Sequence, residues 1–115
     1  MTRFFLLPAA ALAVAAVAAV VAGCGGADDA EPVATTEVSM AKSYRFDPKT
    51  IRVSAGDTVT WTNDDNFTHT VQVDGQEDHK VDKGKSVSIS FDESGTYEYV
   101  CTLHRRDMSG TVIVE

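Results

Sequence analysis

From residue 58 onward, apolar and polar positions alternate with the period of a strand rather than that of a helix. Val59 and Trp61 alternate with Thr58, Thr60 and Thr62; Val71 and Val73 flank Gln72; Val87, Ile89 and Phe91 alternate with Ser86, Ser88 and Ser90. A period of two sends one set of side chains inward and the other to solvent. Turn-forming clusters punctuate these runs at Ser54-Ala-Gly-Asp57, Asn63-Asp-Asp-Asn66, Asp74-Gly75, Asp82-Lys-Gly84 and Glu93-Ser-Gly95. Seven or so short strands at this spacing, with no amphipathic helix, predict an all-β protein, an antiparallel β-sandwich. Val38, Met40, Tyr44 and Phe46 share a parity that Lys42 interrupts, which predicts a bulge or an edge position in one first strand.

The N-terminus follows a different pattern. After Arg3, an apolar run rich in Ala and Val continues to Ala22, broken only by Pro8. As a helix it would reach about 28 Å, long enough for a membrane span. One basic residue ahead of an apolar run is also the layout of an export signal. The run ends in Val21-Ala-Gly-Cys24, which resembles the lipobox of bacterial lipoproteins, where a peptidase cuts before a cysteine that carries lipid. The expectation is a signal over residues 1–23 and lipidation at Cys24, with a plain signal anchor as the alternative. Either way the rest of the chain is expected outside the cytoplasm, beside a membrane.

Residues 24–36 follow as a small, acidic stretch with nothing to pack, read as a flexible tether with a reach of about 20 Å. One small domain, residues 37–115, remains, and a domain of that size gains from a disulfide or metal staple. The formal net charge of the chain is −7 and the leader carries one charge, Arg3, so without it the charge is −8. That balance argues against nucleic acid as a partner.

If Cys24 is lipidated, Cys101 is the only free thiol and has no disulfide partner. Taken alone, Cys101 reads equally as a buried, inert thiol. Parity places Tyr97, Tyr99 and Cys101 on one face of a strand, with the sulfur pointing between the sheets at the strand's end. His104 and Met108 follow in a loop that can fold over that point, and His69 can reach it from across the sandwich after the loop Asn63–Thr68. One thiolate, two imidazoles and a thioether suit copper in the electron-transfer arrangement of two His, one Cys and a weak axial Met. Zinc accepts Cys and His, but a thioether is a poor reason to choose it.

The ordered blocks Phe46–Asn63, His69-Thr-Val71, Gly95–His104 and Met108–Val114 resemble a cupredoxin of the plastocyanin/amicyanin-like group over nearly all of residues 38–115. The resemblance implies an eight-stranded Greek-key sandwich holding one type 1 copper for one-electron transfer. It also implies His69, Cys101 and His104 as ligands, Met108 as axial thioether, and His104 as the electron's route to the surface. Three residues separate His104 from Met108, a spacing between those of amicyanin and plastocyanin, and the loop lacks the proline common in those relatives.

The remaining candidates lie around that set. Asn63, Asp64 and Thr70 are near enough in sequence to support the ligands, Met40 reads as core, and His79 reads as a surface histidine in a charged loop. Phe67, Arg105 and Arg106 flank the presumed ligands and are candidates for docking an acidic redox partner. The expectation is a monomeric, membrane-tethered electron carrier between redox proteins. The alternative is a copper-binding or delivery protein with the same ligands. An enzyme is disfavoured, because His79 is the only histidine left for a second metal and no third residue orients a Cys-His nucleophile.

Overall fold

The computed structural model describes residues 31–115, so the apolar leader, Cys24 and most of the expected tether lie outside the described residues. Among the described residues are ten strands and no helix: β1 (Val33–Ala34), β2 (Glu37–Ala41), β3 (Arg45–Asp47), β4 (Thr50–Val53), β5 (Asp57–Asn63), β6 (His69–Val73), β7 (Asp78–Val81), β8 (Ser86–Phe91), β9 (Gly95–Val100) and β10 (Ser109–Val114). They form two sheets, ordered β1-β4-β10-β9-β6-β7 and β3-β2-β5-β8, a Greek-key sandwich of the expected kind with ten strands where the resemblance implied eight.

Alternation explains how the smaller sheet packs. Val59 and Trp61 on β5 are fully buried. Their polar neighbours face out and pair across to β8 as a ladder of hydroxyls: Thr58 with Ser90 at 2.9 Å, Thr60 with Ser88 at 2.8 Å and Thr62 with Ser86 at 2.9 Å. Such cross-strand pairs each add a few tenths of a kcal/mol, up to about 1. Inside, Tyr99 packs edge-on against Phe46 and Trp61, with ring centroids 4.7 and 5.2 Å apart. Gly110 makes room for that ring, since a Cβ there would stand 2.3 Å from the Tyr99 hydroxyl and 2.6 Å from the Lys49 carbonyl.

Four features depart from the sequence reading. Three pairings are parallel, β1 with β4, β4 with β10 and β2 with β5, so both sheets are mixed rather than antiparallel. Side-chain period reports which face a residue takes and is blind to the direction of its neighbour. Val33 and Ala34, read as tether, pair with Ile51 and Arg52 of β4, so pairing begins ahead of residue 37. The expected single first strand is a hairpin of β2 and β3, turned at Lys42–Tyr44 with φ of 72° at Ser43 and 55° at Tyr44. The charged loop around His79 is strand β7, which pairs with β6 at the sheet's edge and needs only one apolar face. The turn before it holds Asp74 and Gly75 at φ of 41° and 71°, closed by Gln76 N–H to the Val73 carbonyl at 2.7 Å. That is the left-handed pair a two-residue primed turn requires.

Candidate metal centre

Strands β6 and β9 pair antiparallel, with Gln72 opposite Val100 and Val73 opposite Tyr99, so the start of β6 and the end of β9 meet at one end of the sandwich. His69 opens β6 and Cys101 follows β9, and both are fully buried there. His69 Nδ1 stands 3.8 Å from Cys101 Sγ. An imidazole nitrogen and a thiolate sulfur at about 2.0 and 2.3 Å from a shared divalent ion, with about 120° between the bonds, would stand about 3.7 Å apart. The pair is therefore spaced as two ligands of one metal would be.

The loop from Cys101 to Ser109 is closed by its own backbone. Cys101 N–H donates to the Met108 carbonyl at 3.0 Å, His104 N–H to the Cys101 carbonyl at 3.1 Å, and Met108 N–H to the His104 carbonyl at 2.9 Å. These bonds bring Met108, fully buried, back against the start of the loop. His104 remains partly exposed, its ring centroid 5.5 Å from that of His69. Among the described residues, no three His, Cys, Asp or Glu side chains are drawn to metal-holding distance of one another, so what stands ready is the His69–Cys101 pair. The set of one thiol, two imidazoles and one thioether fits copper in chemistry.

His69 is held by Asp65, whose Oδ2 lies 2.9 Å from Nε2. A carboxylate only accepts, so Nε2 carries the proton and Nδ1 keeps its lone pair toward the sulfur. That bond, and one from the Asn66 N–H, hold the buried Asp65 carboxyl below the usual carboxylate range. Asn63, also buried, spans the base of the loop: Nδ2 donates to the Phe67 and Val81 carbonyls at 2.7 and 2.9 Å, and Oδ1 accepts the Asp65 N–H at 2.9 Å. Of the three supporting residues expected, Asn63 and Thr70 lie at the site. Asp64 faces away and accepts a bond from Ser39 at 2.5 Å.

Tyr44 was absent from the candidate set, yet it covers both imidazoles. Its ring centroid is 4.3 Å from that of His104 and 6.0 Å from that of His69, and Phe67 stacks on it at 5.9 Å. Phe67 is 57% exposed beside it, and Leu103, also 57% exposed, shares with exposed Arg105 and Arg106 the loop that carries His104. Arg105 Nη2 reaches Gln72 Oε1 at 3.5 Å. His79, opposite Val71 on β7, is outside this cluster, and Met40 is buried in the core.

Comparison with known proteins follows the same lines. A profile of copper binding proteins, plastocyanin/azurin family, matches residues 33–115. Amicyanin-alpha of Methylorubrum extorquens is 35% identical over 120 residues, covering 98% of this chain and 99% of that protein. Amicyanin of Paracoccus denitrificans is 38% identical over 85 residues, covering 68% of this chain and 63% of its own. Among solved structures, a reduced amicyanin mutant aligns with a TM-score of 0.63 at 33% identity over 74% of this chain and 83% of that one. A copper-containing nitrite reductase from Thermus scotoductus aligns with a TM-score of 0.59 at 29% identity, covering 73% of this chain but 22% of the reductase.

Proposed function

Because the chain belongs to the plastocyanin/azurin family of copper-binding proteins, we propose that it is a one-electron carrier with a mononuclear type 1 copper site. His69 through Nδ1, Cys101 through Sγ and His104 would hold the copper, with Met108 as the weak axial donor. When bound, the copper supplies a Cu(II)/Cu(I) couple that passes one electron at a time. The observation that carries the reading is the 3.8 Å approach of His69 Nδ1 to Cys101 Sγ, with Nε2 already committed to Asp65.

The chain's own residues divide the work. Asp65 fixes the tautomer and orientation of His69, as partners of metal-bound histidines generally do. The Thr70 N–H points at Cys101 Sγ from 3.4 Å and supplies a donor to the sulfur. Full burial of Cys101 and Met108 excludes water, while partly exposed His104 gives the electron a short path out. Arg105, Arg106 and Phe67 border that path, a charged and an apolar contact for an acidic redox protein on a chain of net charge −7.

The carrier works outside the cytoplasm as a monomer, tethered to the membrane by lipid on Cys24. Support for the tether is the apolar run and its Val21-Ala-Gly-Cys24 ending. The chain spans 22% of the nitrite reductase it resembles, and beyond His69 and His104 its only histidine is His79, so the site is read as a carrier's rather than an enzyme's.

The full chain, prepared without metal and titrated with Cu(II), tests the proposal by visible absorption and electron paramagnetic resonance. One equivalent should give an intense thiolate-to-copper band, lost with ascorbate and regained on oxidation. Colourless binding, or simple oxidation of Cys101, would overturn it. Rapid exchange of the metal with a chelator, without reversible redox, would favour a delivery protein instead.

A further inference from the structure

Thr70 and Thr102 stand between the Cys101 sulfur and a surface carboxylate, joined by an unbroken series of hydrogen bonds. Besides the Thr70 N–H, the Thr70 hydroxyl faces Cys101 Sγ, at 3.7 Å. The same Oγ1 accepts the Thr102 N–H at 2.7 Å and lies 2.8 Å from Thr102 Oγ1. Thr102 Oγ1 in turn donates to Asp78 Oδ2 at 2.7 Å. Cys101 and Thr70 are buried, Thr102 is half-buried and Asp78 is exposed on β7, so the series runs from solvent to sulfur.

A hydroxyl carries one proton, and that decides the direction of every link. The carboxylate only accepts, so the Thr102 proton is committed to Asp78. Thr102 Oγ1 is then an acceptor, and only the Thr70 proton can fill the 2.8 Å contact. The sulfur, at 3.7 Å from the same hydroxyl, loses that competition and keeps the N–H alone. Were the acceptor at position 78 removed, the Thr102 proton could turn to Thr70, and the Thr70 proton to the sulfur, with every group still satisfied.

We infer that Asp78 is a positioning residue which, acting through Thr102 and Thr70, withholds a second hydrogen bond from the Cys101 sulfur. Hydrogen bonds to a ligating cysteine tune a copper site because they draw off electron density that the thiolate would otherwise give to Cu(II). With Asp78 in place the sulfur is the stronger donor and the potential is held down. For its readout in the copper form the inference rests on the function proposed above; the hydrogen-bond series does not.

Thr102→Val tests it without altering charge. In the copper-loaded full chain, the variant leaves the Thr70 proton no partner but the sulfur. The potential should rise, shifting the Cu(II)/Cu(I) equilibrium several-fold toward Cu(I), where tenfold corresponds to about 59 mV. The thiolate-to-copper band should move to higher energy. Asp78→Ala should also raise the potential, by less in the Thr102→Val background, where only its charge remains to act. An unmoved band and potential in Thr102→Val, or an Asp78→Ala shift equal in both backgrounds, overturns the inference.

A second measurement needs no copper. In the metal-free full chain, Asp78→Ala and Thr70→Val each leave the Thr102 proton one partner, and together they leave it none. The unfolding constant of the double variant should exceed the product of the single effects several-fold, although the two residues share no hydrogen bond. Independent effects would overturn the series whether or not the protein holds copper. Coupling without any copper band in the wild type would support the series and overturn the copper reading alone.

Discussion

Asp65 accepts a hydrogen bond from His69 Nε2–H at 2.9 Å and so turns the other ring nitrogen toward Cys101 Sγ, 3.8 Å away. Both side chains are buried, so neither can replace its partner with bulk water. Asp65→Ala is expected to weaken copper binding by about 10 to 100-fold, the usual cost of losing such a partner. It should also destabilise the metal-free protein by about 1–3 kcal/mol, because Nε2 is left buried and unpaired. A chelator competition and a denaturant titration measure the two effects. Unchanged copper affinity would detach Asp65 from the metal centre.

Tyr44 occupies φ of 55° behind Ser43 at 72°, and its ring lies 4.3 Å from that of His104. Positive φ at a non-glycine residue costs on the order of 1 kcal/mol or more, and the ring contacts offset it. An aromatic pair contributes about 0.5–1.5 kcal/mol, which converts to about a 2- to 12-fold faster loss of copper in Tyr44→Ala. Tyr44→Phe keeps the ring and should release copper at the wild-type rate. Equal rates in all three proteins would mean the stack does not hold His104.

What the sequence made legible, and what it hid, follows from these residues. Val59, Trp61, Val71 and Val73 declared their faces because a strand's period of two survives any pairing partner. The nearness of Cys101, His104 and Met108 could be read because one short loop carries them, and the buried end of β6 beside Cys101 because a strand follows His69 at once. Asp65 was hidden in a run of four polar residues, Asn63 to Asn66, where no periodicity says which points inward. Tyr44 was hidden because its left-handed turn lacks the glycine that usually marks one, so the hairpin passed for a continuous strand. Asp78 was hidden because an edge strand with one covered face reads as a loop.

Met108 is fully buried and its backbone closes the loop on both sides, to Cys101 and to His104. If its sulfur is the axial donor, Met108→Gln replaces a soft, weak ligand with a harder oxygen that favours Cu(II). The potential should fall and the visible spectrum should change, both measured on the copper-loaded chain. A variant with wild-type spectrum and potential would make Met108 a core residue.

Arg105 and Arg106 place two positive charges beside partly exposed His104 on a chain of net charge −7. Charges near the point of electron exit act on encounter, and salt screens them over about 8–10 Å. Reversing both to Glu should slow oxidation by an anionic complex such as ferricyanide about tenfold at low salt, with the difference shrinking as salt rises. Stopped-flow rates over a salt series measure this. Identical rates and salt slopes in both proteins would assign the pair to solvation.

Tyr99 lies in the centre of the core, and burial pushes its hydroxyl above the usual tyrosine range. The folded protein therefore keeps this proton at a pH where the unfolded chain, near the ordinary value of about 10, gives it up. Bound protons then exceed those of the unfolded state, so the contribution to stability is complete below about pH 10 and is lost as pH rises beyond it. Among the described residues the hydroxyl makes no well-formed hydrogen bond and the Trp61 indole reaches it only weakly, so Tyr99→Phe gives up little. The variant should match the wild type within about 1 kcal/mol at neutral pH. Above pH 10 it should become the more stable of the two, because only the wild type has a buried phenol to ionise on unfolding. Denaturant titrations of the metal-free full chain at pH 8, 9.5 and 11 measure the difference, in which groups common to both proteins cancel. A difference that stays constant across that range would mean Tyr99 ionises alike in the folded and unfolded chains.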